Sequence, residues 1–253
     1  MPGRRHVEIT DNTYIIDGLP AVYVESSDAV IIADLHLGYE EAMSRRGVFL
    51  PRLQYKRIIR VIREAYESTE ASKLIIAGDL KHEFGKLLRQ EKLETARLLQ
   101  EARRTGYKQI IVVRGNHDNF IGPILESLGA EFRDSVELDS KILVTHGHRM
   151  EKIEGYKLVI MGHEHPSLQV MIGGAREKFP AALLVPTSPG TQILVLPPSG
   201  LYQVGNNISM SKNDYLSPII RELGIIEDAV PIIVDEQEGT MILPRLEVLQ
   251  EIV

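Results

Sequence analysis

Short apolar runs, rich in β-branched residues, recur along the first two thirds of the chain, and polar residues follow each of them at once. The runs cover residues 30–33, 74–77, 110–113, 142–144 and 158–161. Runs of this length, bounded by glycine, aspartate or histidine, are typical of buried strands. The pattern therefore predicts five strands whose carboxyl ends all carry polar side chains.

Two amphipathic segments lie between these strands. One opens at Pro51 and runs to about residue 67; its apolar face consists of Tyr55, Ile58, Ile59, Ile62 and Tyr66. The other spans about residues 89 to 105 and stops at Gly106; its expected inward positions are Leu93, Ala96, Leu99 and Ala102. Strands that alternate with helices predict an α/β protein.

The helical pattern fades after residue 165, where short strand-like runs follow one another. They cover residues 168–172, 182–185, 193–196, 230–234 and 240–243. We expect one domain over residues 1–253, with the motif-bearing core in 1–166 and a second sheet completed by 167–253. An irregular excursion is expected at 206–217.

Seven of the eight histidines lie in the polar clusters that end the five strands. The clusters are Asp34-Leu35-His36, Gly78 to His82, Gly115 to Asp118, Thr145 to His148 and Gly162 to His165. In layered α/β proteins, ligands bind where loops from the carboxyl ends of neighbouring strands converge. The sequence therefore predicts that the five clusters form one metal site.

Spacing within the clusters suits chelation. Asp34 and His36 are two residues apart on backbone that we expect to be extended, so both side chains can reach one cation. Asp79 ends another strand, where a single carboxylate can bridge two ions. The candidate ligands are Asp34, His36, Asp79, Asn116, His146, His163 and His165.

The ligand chemistry narrows the choice of metal. The chain has no cysteine, so thiolate sites are excluded. Mixed nitrogen and oxygen ligands suit Mn²⁺, Fe or Zn²⁺, and two such ions about 3.5–4 Å apart form the clamp used in phosphate-ester hydrolysis. We expect two divalent ions, with Mn²⁺ preferred, that lower the pKa of a shared water towards neutrality.

Hydrolysis then needs a proton for the leaving group. His117 lies beside the ligand Asn116, and an imidazole pKa near 6.5 suits proton donation at neutral pH. Asp118 follows it and is a further catalytic candidate. Lys81 and Arg114 lie within motifs and could neutralise substrate charge. For His148 two interpretations stand: a contact with substrate or with a metal ligand, and a hydrogen-bonded position in the loop.

Taken in order, the motifs resemble those of the calcineurin-like metallophosphoesterase superfamily, whose pattern is D-x-H, G-D-x-x-[DH], G-N-H-[DE], H and G-H-x-H. The resemblance spans residues 34–165. It implies a four-layer αββα sandwich with two mixed β-sheets. It also implies a first metal on Asp34, His36, Asp79 and His165, a second on Asp79, Asn116, His146 and His163, and His117 as the catalytic histidine.

One departure from the family pattern points to a substrate class. Protein phosphatases of the superfamily have Asp and then Arg where this chain has His82 and Glu83. The stretch from Gly78 to His82 is instead similar to that of SbcD-like nucleases and closer still to ICC-like, ligase-associated DNA-repair phosphoesterases. We expect His82 to act at the site by contacting a diester's second oxygen or an adjoining phosphate. The expected partner is DNA, single-stranded or at ends.

Charge and composition add limits. With 29 basic and 35 acidic residues, the net charge of −6 excludes a positive field over the whole molecule. A local basic stripe on the first amphipathic segment could still track phosphates; it consists of Arg52, Lys56, Arg60 and Arg63.

No signal peptide or membrane-spanning stretch is evident, so we expect a cytoplasmic protein. A homodimer is an open possibility. The alternatives to a nuclease are a small-molecule phosphodiesterase or phosphomonoesterase and a non-catalytic scaffold on the same fold.

Overall fold

The computed structural model describes residues 5–10, 12–203 and 205–252; residues 1–4, where no signal peptide was expected, lie outside this part. The strands are β1 (His6–Thr10), β2 (Thr13–Ile16), β3 (Val22–Val24), β4 (Ala29–Ile32), β5 (Lys73–Ile76), β6 (Gln109–Val113), β7 (Glu131–Arg133), β8 (Ser135–Leu138), β9 (Ile142–Thr145), β10 (Leu158–Met161), β11 (Pro166–Ile172), β12 (Ala175–Pro186), β13 (Gln192–Val195), β14 (Asn206–Asn207), β15 (Val230–Asp235) and β16 (Gly239–Ile242). The α-helices are α1 (Tyr39–Ser44), α2 (Gln54–Thr69), α3 (Arg89–Thr105), α4 (Gly122–Ser127), α5 (Pro218–Leu223) and α6 (Leu246–Ile252).

Two mixed sheets organise these elements. The first has the order β1-β2-β3-β4-β5-β6-β7, and its strands from β4 onward are parallel. The second has the order β14-β11-β12-β13-β10-β9-β8, with β15 and β16 added beside β12. Within it, β9, β10 and β13 are parallel. The strands predicted from the five apolar runs are all present, three in the first sheet and two in the second.

Alternating side chains on the strands form separate cores on the two faces of each sheet. Ile31 and Ile75 point to the second sheet and meet Val144 and Ile160 in the core between the sheets. Residues of the opposite face, such as Ile76, pack against α2 and α3. The outer face of the second sheet is covered by α5 and α6. Four layers result, which confirms the αββα sandwich.

The two predicted helices form with small differences. Helix α2 begins at Gln54 rather than at Pro51, and Leu53 is its N-cap residue. Helix α3 has the predicted bounds and is capped at Gly106. The inward position Leu93 was wrong, since its side chain is 47 % exposed while Leu98 is buried in its place.

The region after residue 165 follows the predicted strands and adds two short helices that the sequence pattern missed. Strands β11 to β16 all lie in the second sheet. Residues 206–217 are mainly irregular, with the two-residue strand β14 and one turn of 3-10 helix at Lys212–Asp214. Of the helices in the described part of the chain, none has the length and apolar character that a membrane span requires. The single-domain division stays a prediction.

Candidate metal centre

The five polar clusters meet at one edge of the sandwich. Strands β4, β5 and β6 are parallel neighbours in the first sheet, and β9 and β10 are parallel neighbours in the second. Their carboxyl ends therefore lie side by side, as expected for ligand sites in layered α/β folds. Asp34 from the first sheet and His163 from the second are joined by a hydrogen bond of 3.0 Å from the His163 N–H to Oδ2 of Asp34.

Asp34, His36 and His165 form the first group of potential ligands. Nε2 of His165 lies 3.3 Å from Oδ1 of Asp34 and 3.3 Å from Nε2 of His36. Nε2 of His36 is also 3.8 Å from Oδ2 of Asp79. Three side chains thus direct lone-pair atoms to one point, with Asp79 adjoining.

Asp79, Asn116 and His146 form the second group. Nε2 of His146 lies 3.1 Å from Oδ1 of Asn116 and 3.4 Å from Oδ1 of Asp79. The His163 ring packs against that of His146 with a centroid separation of 5.0 Å. Asp79 therefore has one oxygen near each group, which is the position that a bridging carboxylate requires.

The backbone at the ligands departs from the extended conformation that we expected. Asp34 and His36 have φ values of 55° and 46°, and Asp79, His163 and His165 have 51°, 71° and 47°. The side chains of Asp34 and His36 converge because both residues have left-handed backbone in the loop after β4. The two-residue alternation of an extended strand does not cause this convergence. Left-handed backbone at a non-glycine residue costs about 1–3 kcal/mol and concentrates at functional sites.

The buried carboxylates lack permanent cationic partners. Asp34 is 0 % exposed and Asp79 is 2 % exposed. Burial favours their neutral forms, yet neighbouring histidines, first His165 for Asp34 and His146 for Asp79, hold the pKa of each well below its usual value. Among the ion pairs of the described residues, both carboxylates pair only with histidines. Buried charges of this kind are usually paired or bound to metals.

The histidine tautomers fit metal binding. Nδ1 of His146 lies 3.0 Å from the Ala77 carbonyl, which can only accept, so Nδ1 carries the proton and Nε2 offers its lone pair. Nε2 faces Oδ1 of Asn116 and Oδ1 of Asp79, so a proton or a cation must lie between the nitrogen and these oxygens. Burial opposes protonation, but Asp79 and Asp34 raise the pKa of His146 to about 9. A metal would displace this proton.

Two glycines are required by the close packing around the ligands. A Cβ atom on Gly78 would lie 2.2 Å from Nδ1 of His146, and φ there is 90°. A Cβ on Gly115 would lie 2.1 Å from Oδ1 of Asp79. The glycine in each motif thus lets a ligand approach the backbone of the neighbouring strand end.

His117 stands next to the bridging carboxylate with a defined tautomer. Its side chain is 25 % exposed, and its Nε2 lies 3.9 Å from Oδ2 of Asp79. Its backbone N–H donates to Oδ1 of Asp79 at 2.9 Å, and its Nδ1 donates to the carbonyl of His82. Because that carbonyl accepts from Nδ1, Nε2 is the ring nitrogen that faces the bridging carboxylate.

His82 contacts two other histidines of the site, and its expected contact with substrate stays a prediction. Its Nδ1 lies 3.4 Å from Nδ1 of His36, so one imidazole can donate to the other and leave Nε2 of His36 free as a ligand. Burial lowers the pKa of His82 to about 4, which keeps the ring neutral. Together with its carbonyl, this side chain makes His82 a positioning residue for both His36 and His117.

Replacing His82 by leucine is expected to weaken divalent metal binding by about 10–100-fold, the usual cost of losing a partner that orients a ligand. Asparagine should retain most of the affinity because its amide oxygen can accept from Nδ1 of His36. Calorimetric titration with Mn²⁺ measures both variants. Equal affinities for the leucine and asparagine variants would remove this role.

Asp118 and Lys81 are directed into the protein rather than towards a substrate. The buried Asp118 carboxylate accepts from the backbone N–H of Gly115 at 2.8 Å and of Lys81 at 3.3 Å. Among its described contacts, the Asp118 carboxylate holds the loop backbone, whereas we expected it to take part in catalysis. Lys81 is 0 % exposed and donates to the carbonyls of Glu83 and Lys86. Its expected role in neutralising substrate was wrong.

Other predicted cations also have partners. Arg60 pairs with Glu236, and Arg63 pairs with Glu101 at 2.6 Å, so the basic stripe on α2 is interrupted by acidic side chains from elsewhere in the fold. Arg114 pairs with Asp134 at 3.5 Å and lies over the Phe132 ring.

Two exposed cations, Arg46 and Arg149, act electrostatically on histidines of the centre; Arg46 was expected beside the basic stripe, whereas Arg149 was not predicted. Arg46 is close enough to contribute to the lowered pKa of His82, after burial and His117, and Arg149 does the same for His148, after burial and His146. Both are exposed, and neither is among the ion pairs of the described residues. Both arginines therefore add positive charge near histidines of the site, and Arg149 also acts on Glu151.

His148 lies beside the second group of ligands. Its ring centroid is 5.2 Å from that of His146 and 6.1 Å from that of His163. Neither of its ring nitrogens has a hydrogen-bond partner among the described residues. Burial lowers its pKa to about 4, so a neutral imidazole faces this side of the centre.

Comparison with known proteins places this fold and site in a family. The sequence profile of the calcineurin-like phosphoesterases matches residues 29–157, just over half of the chain. The chain belongs to this family and is a metal-dependent phosphoester hydrolase. Comparison with curated protein sequences gives no significant match.

One solved structure supports the same fold. Nuclease MPE of Pseudomonas putida superposes with a TM-score of 0.65 and 17 % sequence identity, over 94 % of this chain and 99 % of that one. Yfce, a phosphoesterase from E. coli, has a TM-score of 0.43 and 16 % identity, over 86 % of this chain and 97 % of that one. At this identity, the P. putida protein shows the likeness of the fold alone.

Proposed function

We propose that the protein is a two-metal phosphodiesterase that cleaves DNA. The observation that carries the proposal is the pair of ligand groups that share Asp79, one oxygen towards each, with His117 alongside. Mn²⁺ as the ion and a role in DNA repair in the cytoplasm are parts of the proposal. The name of the structurally similar P. putida protein, nuclease MPE, agrees with this choice of substrate.

The residues would divide between two ions. Asp34, His36 and His165 would hold one, Asn116, His146 and His163 would hold the other, and Asp79 would join both. Ions bound there would supply Lewis-acid chemistry, which polarises phosphate oxygens and makes water nucleophilic at neutral pH.

Around that chemistry, the chain's own groups position the reactants. The Asp79 carboxylate accepts from the His117 backbone and so fixes the distance between the bridging position and the imidazole. Nε2 of His117, when protonated, can donate to the oxygen that leaves phosphorus. The His82 carbonyl keeps the ring in the orientation that this transfer needs.

A polynucleotide substrate is supported by two exposed cations, Arg46 and Arg149. Their charges act on His82 and His148 of the centre, and we infer that they contact phosphates next to the cleaved bond. A small diester has no neighbouring phosphates and would gain no affinity from these two arginines.

The Mn²⁺-loaded enzyme is expected to cleave single-stranded DNA, with a rate that falls as salt rises. The slope of log(kcat/KM) against log[salt] is negative. Each of the changes Arg46→Gln and Arg149→Gln should make it less steep by about 0.7, the value for one phosphate contact on a single strand. Arg63→Gln is the matched control, because Arg63 is already paired with Glu101. The measurement is initial cleavage rate of a labelled oligonucleotide over a salt series.

Two results would contradict the proposal. One is brisk hydrolysis of a small aryl diester with single-stranded and duplex DNA left intact, which would indicate a small-molecule phosphodiesterase. The other is purified protein that takes up no divalent metal and cleaves nothing, which would indicate a scaffold. Equal slopes for all three arginine variants would remove the proposed path of the strand while leaving the chemistry in place.

A further inference from the structure

A row of aromatic rings runs past the metal centre. Tyr202 stacks on Tyr39 with centroids 5.4 Å apart and an interplanar angle of 17°, and Tyr39 lies 4.5 Å from His82. His82 in turn stacks on His117 at 5.5 Å and 21°, and Phe84 meets His117 edge to face at 5.7 Å. The row joins residues from three loops and the start of helix α1, and it passes through the imidazole assigned to proton transfer.

The tyrosine end of the row is held by a buried polar side chain. Gln54 is 0 % exposed; its Oε1 accepts from the N–H of Leu201 at 2.7 Å, and its Nε2 donates to the Leu35 carbonyl at 2.7 Å. The Tyr202 hydroxyl donates to the Pro51 carbonyl. The loop of Tyr202 is thereby fixed to the loop that carries Asp34 and His36.

The phenylalanine end is fixed in a similar way. The buried Lys81 donates to the carbonyls of Glu83 and Lys86, and Glu91 accepts from the Glu83 N–H at 2.6 Å. Asn119 donates to the Phe84 carbonyl at 3.3 Å. Phe84 itself is 56 % exposed, so its loop is tied down by buried charges while its ring stays in solvent.

Core packing does not account for such a ring. A large apolar side chain left exposed costs free energy that burial would recover, and a tied loop prevents it from folding inward. Aromatic rings beside a phosphate site are the means by which proteins hold unpaired bases, since every base presents a stacking face. Because Phe84 meets the ring of His117, a base stacked on Phe84 would lie beside the imidazole that we assign to the leaving group.

We propose that this row of rings is a stacking surface for unpaired nucleobases, with Phe84 holding the base of the leaving nucleoside against His117. This inference rests on the proposed function, since it names the part of a DNA substrate that the site recognises. It makes single-stranded DNA the preferred substrate, because the bases of a duplex are already stacked and paired.

The test compares an oligothymidylate with an oligomer of the same length built from abasic deoxyribose units, which has the same charges and no bases. Wild-type enzyme loaded with Mn²⁺ is expected to show a kcat/KM about tenfold or more higher for the oligothymidylate. Phe84→Ala should bring this ratio close to one, and Phe84→Trp should preserve it. Phe120→Ala is the matched control; Phe120 is 64 % exposed, and among the described residues its ring contacts none of the site histidines.

Each alternative outcome has a distinct meaning. If wild type cleaves both oligomers equally, or if Phe84→Ala and Phe120→Ala lower the ratio alike, the stacking surface is overturned while the nuclease activity stands. If wild type cleaves neither oligomer but hydrolyses a small diester, the proposed function fails and the inference fails with it. A ratio that falls only in Phe84→Ala and returns in Phe84→Trp supports the stacking role.

Discussion

Replacing Asp79 by asparagine is expected to slow phosphodiester hydrolysis by more than about 100-fold, which is the upper end of the loss caused by residues that only support a ligand. Asp79 lies 3.4 Å from His146 and 3.8 Å from His36, so removing its charge weakens both ligand groups at once. The fold should survive because asparagine tolerates the left-handed backbone at this position, where φ is 51°.

Metal content and initial rates of the Asp79→Asn variant provide the measurement. Asp134→Asn is the control, because that carboxylate is 73 % exposed and pairs with Arg114 away from the ligands. A folded Asp79→Asn protein that retains two ions and turns over at the normal rate would refute the bridging role.

Replacing His117 by asparagine is expected to slow cleavage of diesters with alkoxide leaving groups by about 10²–10⁴-fold, the usual contribution of a general acid. A nitrophenyl diester should lose much less, because its leaving group departs without a proton. The variant should keep its metal, because His117 belongs to neither ligand group. Its close contacts are with the Asp79 carboxylate and the His82 carbonyl.

The comparison of leaving groups separates proton donation from other roles. Rates of DNA and bis(nitrophenyl) phosphate hydrolysis are measured for wild type, His117→Asn and His6→Asn. His6 serves as the control; it is an exposed histidine that is hydrogen-bonded to the Ser68 hydroxyl. Equal losses on both substrates in His117→Asn would argue for a role in binding and against one in proton transfer.

Sequence patterns were sufficient for the framework of the site. Apolar runs of three or four residues fix β4, β5, β6, β9 and β10, because continuous burial on both faces leaves little alternative to a central parallel strand. Helix α3 follows from its length and from Gly106. Helices α5 and α6 were missed, since six or seven residues hold too few turns for a periodic signal.

Features that depend on distant parts of the chain could not be predicted. The left-handed backbone of Asp34 and His36 has no local signature, because neither residue is a glycine. The pairing of Arg63 with Glu101 joins two helices, and that of Arg60 with Glu236 joins a helix to a loop near the carboxyl end. Likewise, the row of rings consists of residues from segments far apart in sequence, so no spacing of aromatic residues along the chain could predict it.

The most direct test of a two-metal centre is an anomalous difference map from a crystal of the enzyme grown with Mn²⁺. We expect two peaks about 3.5–4 Å apart, with Asp79 in contact with both. One should lie at Asp34, His36 and His165, and the other at Asn116, His146 and His163. A single peak, or peaks outside these seven side chains in an active preparation, would contradict the two-metal centre.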